Sequence, residues 1–106
     1  MDPIGSQKLH ELGIGATVRF ACGTVSMYDI DSNGNPLAAW RLMHPDTTST
    51  PLGPVGYVVE GRIAEYDADG YGVTIRVTRV VAQGRNARPP KVGENQDGGW
   101  SRFFLP

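Results

Sequence analysis

Two runs of strict alternation limit what this chain can become. Val18, Phe20 and Cys22 alternate with Thr17, Arg19 and Ala21, and Val73, Ile75 and Val77 alternate with Thr74, Arg76 and Thr78. Apolar residues at every second position share a face only when the backbone is extended, so both runs read as strands half-buried against a core. The second run belongs to the longest β-branched stretch of the chain, residues 71–82. Glycine (14) and proline (8) punctuate the 106 residues too often for long helices. They suit short strands joined by turns.

A doubled unit points the same way. Residues 23–34 and 61–72 superpose without a gap through Gly23/Gly61, Tyr28/Tyr66, Asp29/Asp67, Asp31/Asp69 and Gly34/Gly72, and the same spacing pairs Arg41 with Arg79. Each copy reads as strand, acidic turn and returning strand, which predicts two related hairpins within residues 16–82. The first turn, D-I-D-S-N-G, offers oxygen ligands and a glycine in the order of an EF-hand calcium loop. The bidentate glutamate that such a loop needs at its twelfth position is Trp40 in one copy and Thr78 in the other. The expectation is therefore no metal, and turns in which Asp and Asn side chains bond their own backbone.

The remaining segments follow from local chemistry. Ser6 to Leu12 predicts a short helix with Ser6 as N-cap, Gly13 as a left-handed close, and Leu9 and Leu12 on one face. The apolar phase slips by one at Gly23, which predicts a bulge or a sharp bend. Leu37 to Met43 reads as a returning strand. Residues 44–56 hold three prolines and two glycines and read as an irregular surface loop. The tail after Gln83 reads as irregular until its apolar end. There, Trp100, Phe103, Phe104 and Leu105 are expected to close the core as a final strand or to form an interface, a homodimer being one such arrangement.

The sum is a single all-β domain over residues 1–106. It comprises an N-terminal segment with a short helix (1–15), two pseudo-repeated hairpins (16–82) and an irregular tail with a closing apolar segment (83–106). The predicted architecture is a small five- to six-stranded antiparallel barrel or roll, resembling SH3-like or OB-like barrels in outline only.

Function is less constrained. A net charge of −1 gives no global attraction for nucleic acid or anionic membrane. A lone cysteine forms no internal disulfide. The first residues lack the apolar run of a signal peptide, and no stretch approaches the roughly 20 apolar residues of a membrane helix, so a soluble cytoplasmic protein is expected. His10 and His44 are the only histidines, no motif sets a nucleophile beside a base, and no cofactor motif is present. Cys22 shares the inward parity of Val18 and Phe20, where a thiol acts as a small hydrophobe.

These absences favour a non-enzymatic binding or interaction module. A second reading is single-stranded nucleic-acid binding through a local basic patch of Arg76, Arg79, Arg85, Arg88 and Lys91, with Trp40, Tyr57 and Tyr71 as stacking surfaces. A third is a small-ligand binder or small enzyme that clamps an anion between Arg41 and Arg79. Parity places those two arginines on the apolar faces of their strands, where a guanidinium needs an acid, solvent or an anionic ligand.

Overall fold

The computed structural model describes residues 4–24 and 52–106. Helix α1 (Ser6–Leu12) precedes strands β1 (Thr17–Thr24), β2 (Leu52–Tyr66), β3 (Gly72–Gln83) and β4 (Asn95–Gly99). A 3-10 turn (Trp100–Arg102) then leads into the two-residue β5 (Phe103–Phe104). The described residues are mostly β, with α1 the one α-helix among them. All neighbouring strands are antiparallel, in the order β4-β3-β2-β1-β5.

That order forces the sheet to roll. β4 and β5 occupy opposite edges, which in a flat five-stranded sheet lie roughly 19 Å apart at about 4.8 Å per strand. The three residues of the 3-10 turn advance only about 6 Å. Curvature closes the gap, and contacts across the interior record it. The Phe20 ring of β1 fills the space that a side chain at Gly98 of β4 would occupy. The Tyr57 hydroxyl of β2 donates to Gln96 Oε1 of β4 at 2.7 Å. β4 and β5 do not pair, so the sheet is not closed.

The core lies on the concave face. Val18 and Phe20 of β1, Val59 and Ile63 of β2, and Val73, Ile75 and Val77 of β3 meet Phe103, Leu9 and Ile4 there, all buried. Both alternating runs thus present the predicted face, with Cys22 half-buried at its margin. Tyr66 locks α1 onto this core. Its hydroxyl donates to Leu9 O at 3.0 Å and accepts from Gly13 N at 2.9 Å, so one side chain satisfies two backbone groups left open by the helix end. The His10 ring stacks on the same tyrosine at 4.9 Å.

The acidic turn of the second hairpin is a self-bonded turn. Asp69 Oδ1 accepts the Tyr71 N–H at 2.9 Å, and Gly70 N donates to Asp67 O at 3.1 Å. Among the described residues, no group of three His, Cys, Asp or Glu side chains is placed to hold a metal. Of the first expected hairpin, residues 25–43, which include its turn and its returning strand, lie outside the described residues. The irregularity expected at Gly23 is present. Register breaks between Cys22↔Tyr57 and Thr24↔Leu52, Gly23 has φ 68°, and its backbone passes so close to Gly56 that a side chain there would meet Gly56 Cα at 2.8 Å.

Four expectations are corrected. Ser6 is the first helical residue rather than the cap; Gly5 takes the N-cap position and supplies no side-chain bond. Gly13 has the expected positive φ of 84°, but its ψ of 164° is outside the left-handed helical region. Residues 52–56 belong to β2 rather than to a loop. The ladder to β1 skips from Tyr57 to Leu52, so Pro54 falls where no ladder N–H is required. The tail is not irregular, since N-Q-D-G-G forms β4 along the edge of β3. Its poor strand propensity is overridden by backbone pairing and by the room that Gly98 leaves for Phe20.

Candidate anion-binding face

The convex face of the sheet is built in rows across the strands. Register aligns Asn95 of β4, Arg76 of β3, Arg62 of β2 and Thr17 of β1 as consecutive cross-strand partners. The next row holds Arg79, Glu60, Arg19 and Phe104, from β3, β2, β1 and β5. Bulges make this arrangement. Thr78 is an extra residue in β3 between Val77↔Gly61 and Arg79↔Glu60, and Ala64 is an extra residue in β2 between Ile63↔Ile75 and Glu65↔Thr74.

The Thr78 bulge overturns the parity assigned to Arg79. Arg79 does not continue the buried face of Ile75 and Val77; it turns to the convex face opposite Glu60. Its Nε donates to Glu60 Oε2 at 3.2 Å, and Arg19 Nε donates to Glu60 Oε1 at 3.0 Å. One carboxylate therefore bridges two guanidinium groups on three strands. Burial raises the Glu60 pKa, but hydrogen bonds and charge from Arg19 and Arg79 outweigh it, and the net shift is downward. Arg19 is itself buried at 4% exposure, while the Arg79 side chain is half-exposed.

A carboxylate held below its ordinary range stabilises the fold above the unfolded-state pKa, about 4.3 for Glu, and that contribution disappears as pH falls through the folded-state value. Glu60→Gln is accordingly expected to lower the melting temperature at pH 7, with the difference from the parent chain shrinking steadily below about pH 4. Melting curves of both proteins across that range check it. A difference that stays constant with pH assigns the effect to packing alone.

Arg62 and Arg76 have a different environment. They oppose each other directly, both exposed, and neither has a carboxylate within 4.0 Å among the described residues. Like charges directly opposite each other destabilise a ladder. Acids bound the row along the strand direction on one side, where Asp97 accepts the Thr74 hydroxyl at 2.5 Å and Glu65 lies opposite Thr74. On the other side, beyond Glu60, the face turns apolar with Ala21, Val58 and Phe104.

The other predicted contact residues are scattered. Arg85, Arg88 and Lys91 are exposed on the β3–β4 loop, which returns to β3 where Gly93 N donates to Val77 O and Val77 N donates to Glu94 O, each at 2.9 Å. Tyr71 is 69% exposed, but it sits in the acidic turn beside Asp69. Tyr57 faces inward against Phe20, and burial followed by the influence of Cys22 pushes its hydroxyl pKa up. Phe103 and Phe104 are fully buried within the single chain, Trp100 packs against the core, and Leu105 is 48% exposed. Trp40 and Arg41 lie outside the described residues, so the Arg41–Arg79 clamp is not described.

The structure brings together Arg76, which was expected, with Arg62, Arg19 and Glu60, which were not. No helix among the described residues is long and apolar enough to cross a membrane. No protein-family model, curated protein or solved structure matches the chain.

Proposed function

We propose that this protein is a non-enzymatic binding module whose convex sheet face engages an anionic partner. The observation that carries this reading is the Arg62–Arg76 pair, two exposed arginines directly opposed in the ladder with no acid in ion-pair reach among the described residues. Glu60, the acid nearest in register, is already shared by Arg19 and Arg79. A fold that only needed to be stable gains nothing from that juxtaposition. A surface that recruits negative charge does.

The scaffold we assign is a small, partly closed SH3-like barrel. Among the described residues, β1 to β4 neighbour one another in chain order and β5 returns beside β1 after one 3-10 turn. That connectivity favours the SH3-like outline over the Greek-key OB-like one.

Single-stranded nucleic acid is the second reading, favoured by Arg85, Arg88 and Lys91 on the loop that follows β3. Its stacking half is weaker, because Tyr57 is engaged inside and Tyr71 stands in an acidic turn. Titration at low salt with a ten-residue poly-glutamate peptide and a mixed-sequence ten-nucleotide single strand tests both readings. The expected result is saturable binding of at least one of them or of a small phosphate ester, weakened at least tenfold in Arg62→Gln/Arg76→Gln. Flat titrations with each of these probes and with small phosphate esters reject the anionic reading.

A further inference from the structure

We infer that the Arg62–Arg76 row takes a compact phosphate monoester dianion rather than an extended polyanion. The inference rests on the anionic reading above and narrows it by the layout of the face. The row Asn95–Arg76–Arg62–Thr17 crosses four strands, every member is exposed, and every side chain in it can donate a hydrogen bond. None is a carboxylate.

Cross-strand partners have Cβ atoms about 4.5–5.5 Å apart, so two guanidinium forks on flexible stems converge on one small group. A tetrahedral dianion with three acceptor oxygens uses both forks at once. Thr17 and Asn95, at the two ends of the row, can donate to or accept from hydroxyl or amide groups next to that phosphate.

The surroundings argue against a longer anion. A polyanion following the strands meets Glu65 and Asp97 on one side of the row, and on the other meets Glu60 and then the apolar patch of Ala21, Val58 and Phe104. The whole row spans only about 14 Å at about 4.8 Å per strand. Positive charge is thus confined to one short row, which itself contains no carboxylate. The phosphate can be carried by a small metabolite or by a phosphorylated side chain, and the row reads the dianion common to both.

The test is an amide chemical-shift titration of the full chain with glycerol phosphate, dimethyl phosphate, a phosphoserine tripeptide and its unphosphorylated form, and the ten-nucleotide strand. The two monoesters are expected to saturate, with the largest shifts at Arg62 and Arg76, and to bind at least tenfold tighter than dimethyl phosphate. Comparing glycerol phosphate with the phosphoserine peptide identifies the carrier. Arg62→Gln and Arg76→Gln are each expected to weaken the monoester about tenfold. Arg88→Gln is expected to leave it within twofold, because that side chain lies on the β3–β4 loop and not in the row. If the oligonucleotide binds while both monoesters do not, or if the diester matches the monoester, the inference falls and the anionic reading survives. If no anion binds, both fall.

Discussion

Phe103→Ala is expected to destabilise the protein by about 3–5 kcal/mol, the range for deleting a buried aromatic ring. Phe103 is fully buried, and its ring lies 5.3 Å from that of Phe20 in a tilted pair. It also anchors the chain entry, since Ile4 N donates to Phe103 O at 2.9 Å. β5 consists of two residues, so little else holds the returning chain beside β1. The neighbouring Leu105→Ala removes a half-exposed side chain and should shift stability by less than about 0.5 kcal/mol. Urea denaturation of the two variants separates the cases. Equal losses would mean that β5 does not close this core.

The apolar end of the tail was legible because four large side chains in six residues have few uses other than burial. β4 was not legible, because N-Q-D-G-G carries none of the residues that strands select. Its strand character comes from β3, which offers an unpaired edge from Gly72 to Arg76, and from the Phe20 ring that requires a glycine opposite. Both facts are tertiary. The same holds for Pro54, whose place in a strand depends on the register break at which residues 53–56 of β2 are set against Gly23 of β1.

The site was half legible, for a reason that can be stated in register. Counting outward one against one from the pair Tyr66↔Val73 sets Glu60 opposite Arg79, as observed, because the extra residue Ala64 in β2 and the extra residue Thr78 in β3 cancel. The same count sets Arg62 opposite Val77 instead of Arg76. The arginine pair exists only in the stretch between the two bulges, where the strands run one residue out of the simple register. No alternation pattern reports that, since Ala64 and Thr78 are ordinary strand residues. What the sequence offered was a hairpin with arginine on both strands, Arg62, Arg76 and Arg79, among four acids, Glu60, Glu65, Asp67 and Asp69, with nothing in the spacing to say which of them meet.

Gly61 stands in that stretch, and Gly61→Ala is expected to be the second large effect. In an unconstrained strand, glycine to alanine gains about 0.5–1 kcal/mol by restricting the unfolded chain. Here a Cβ would press on the carbonyl of Arg76, lying 2.9 Å from its carbon and closer still to its oxygen, and would stand 3.0 Å from Ile75 Cδ1. Backbone cannot rotate away as a side chain can, so β2 and β3 must separate, at a cost of about 3 kcal/mol, the upper part of the range for overpacking. The sign of the change therefore discriminates, since entropy alone raises the denaturation midpoint and the close approach lowers it. The site should move with it. Gly61 lies between Glu60 and Arg62, so separating the strands there pulls Glu60 from Arg79 and Arg62 from Arg76 together. Monoester affinity should fall at least tenfold in Gly61→Ala even at temperatures where the variant remains folded. A variant that keeps both the parent midpoint and the parent affinity would show that the bulged register does not hold the arginine row in place.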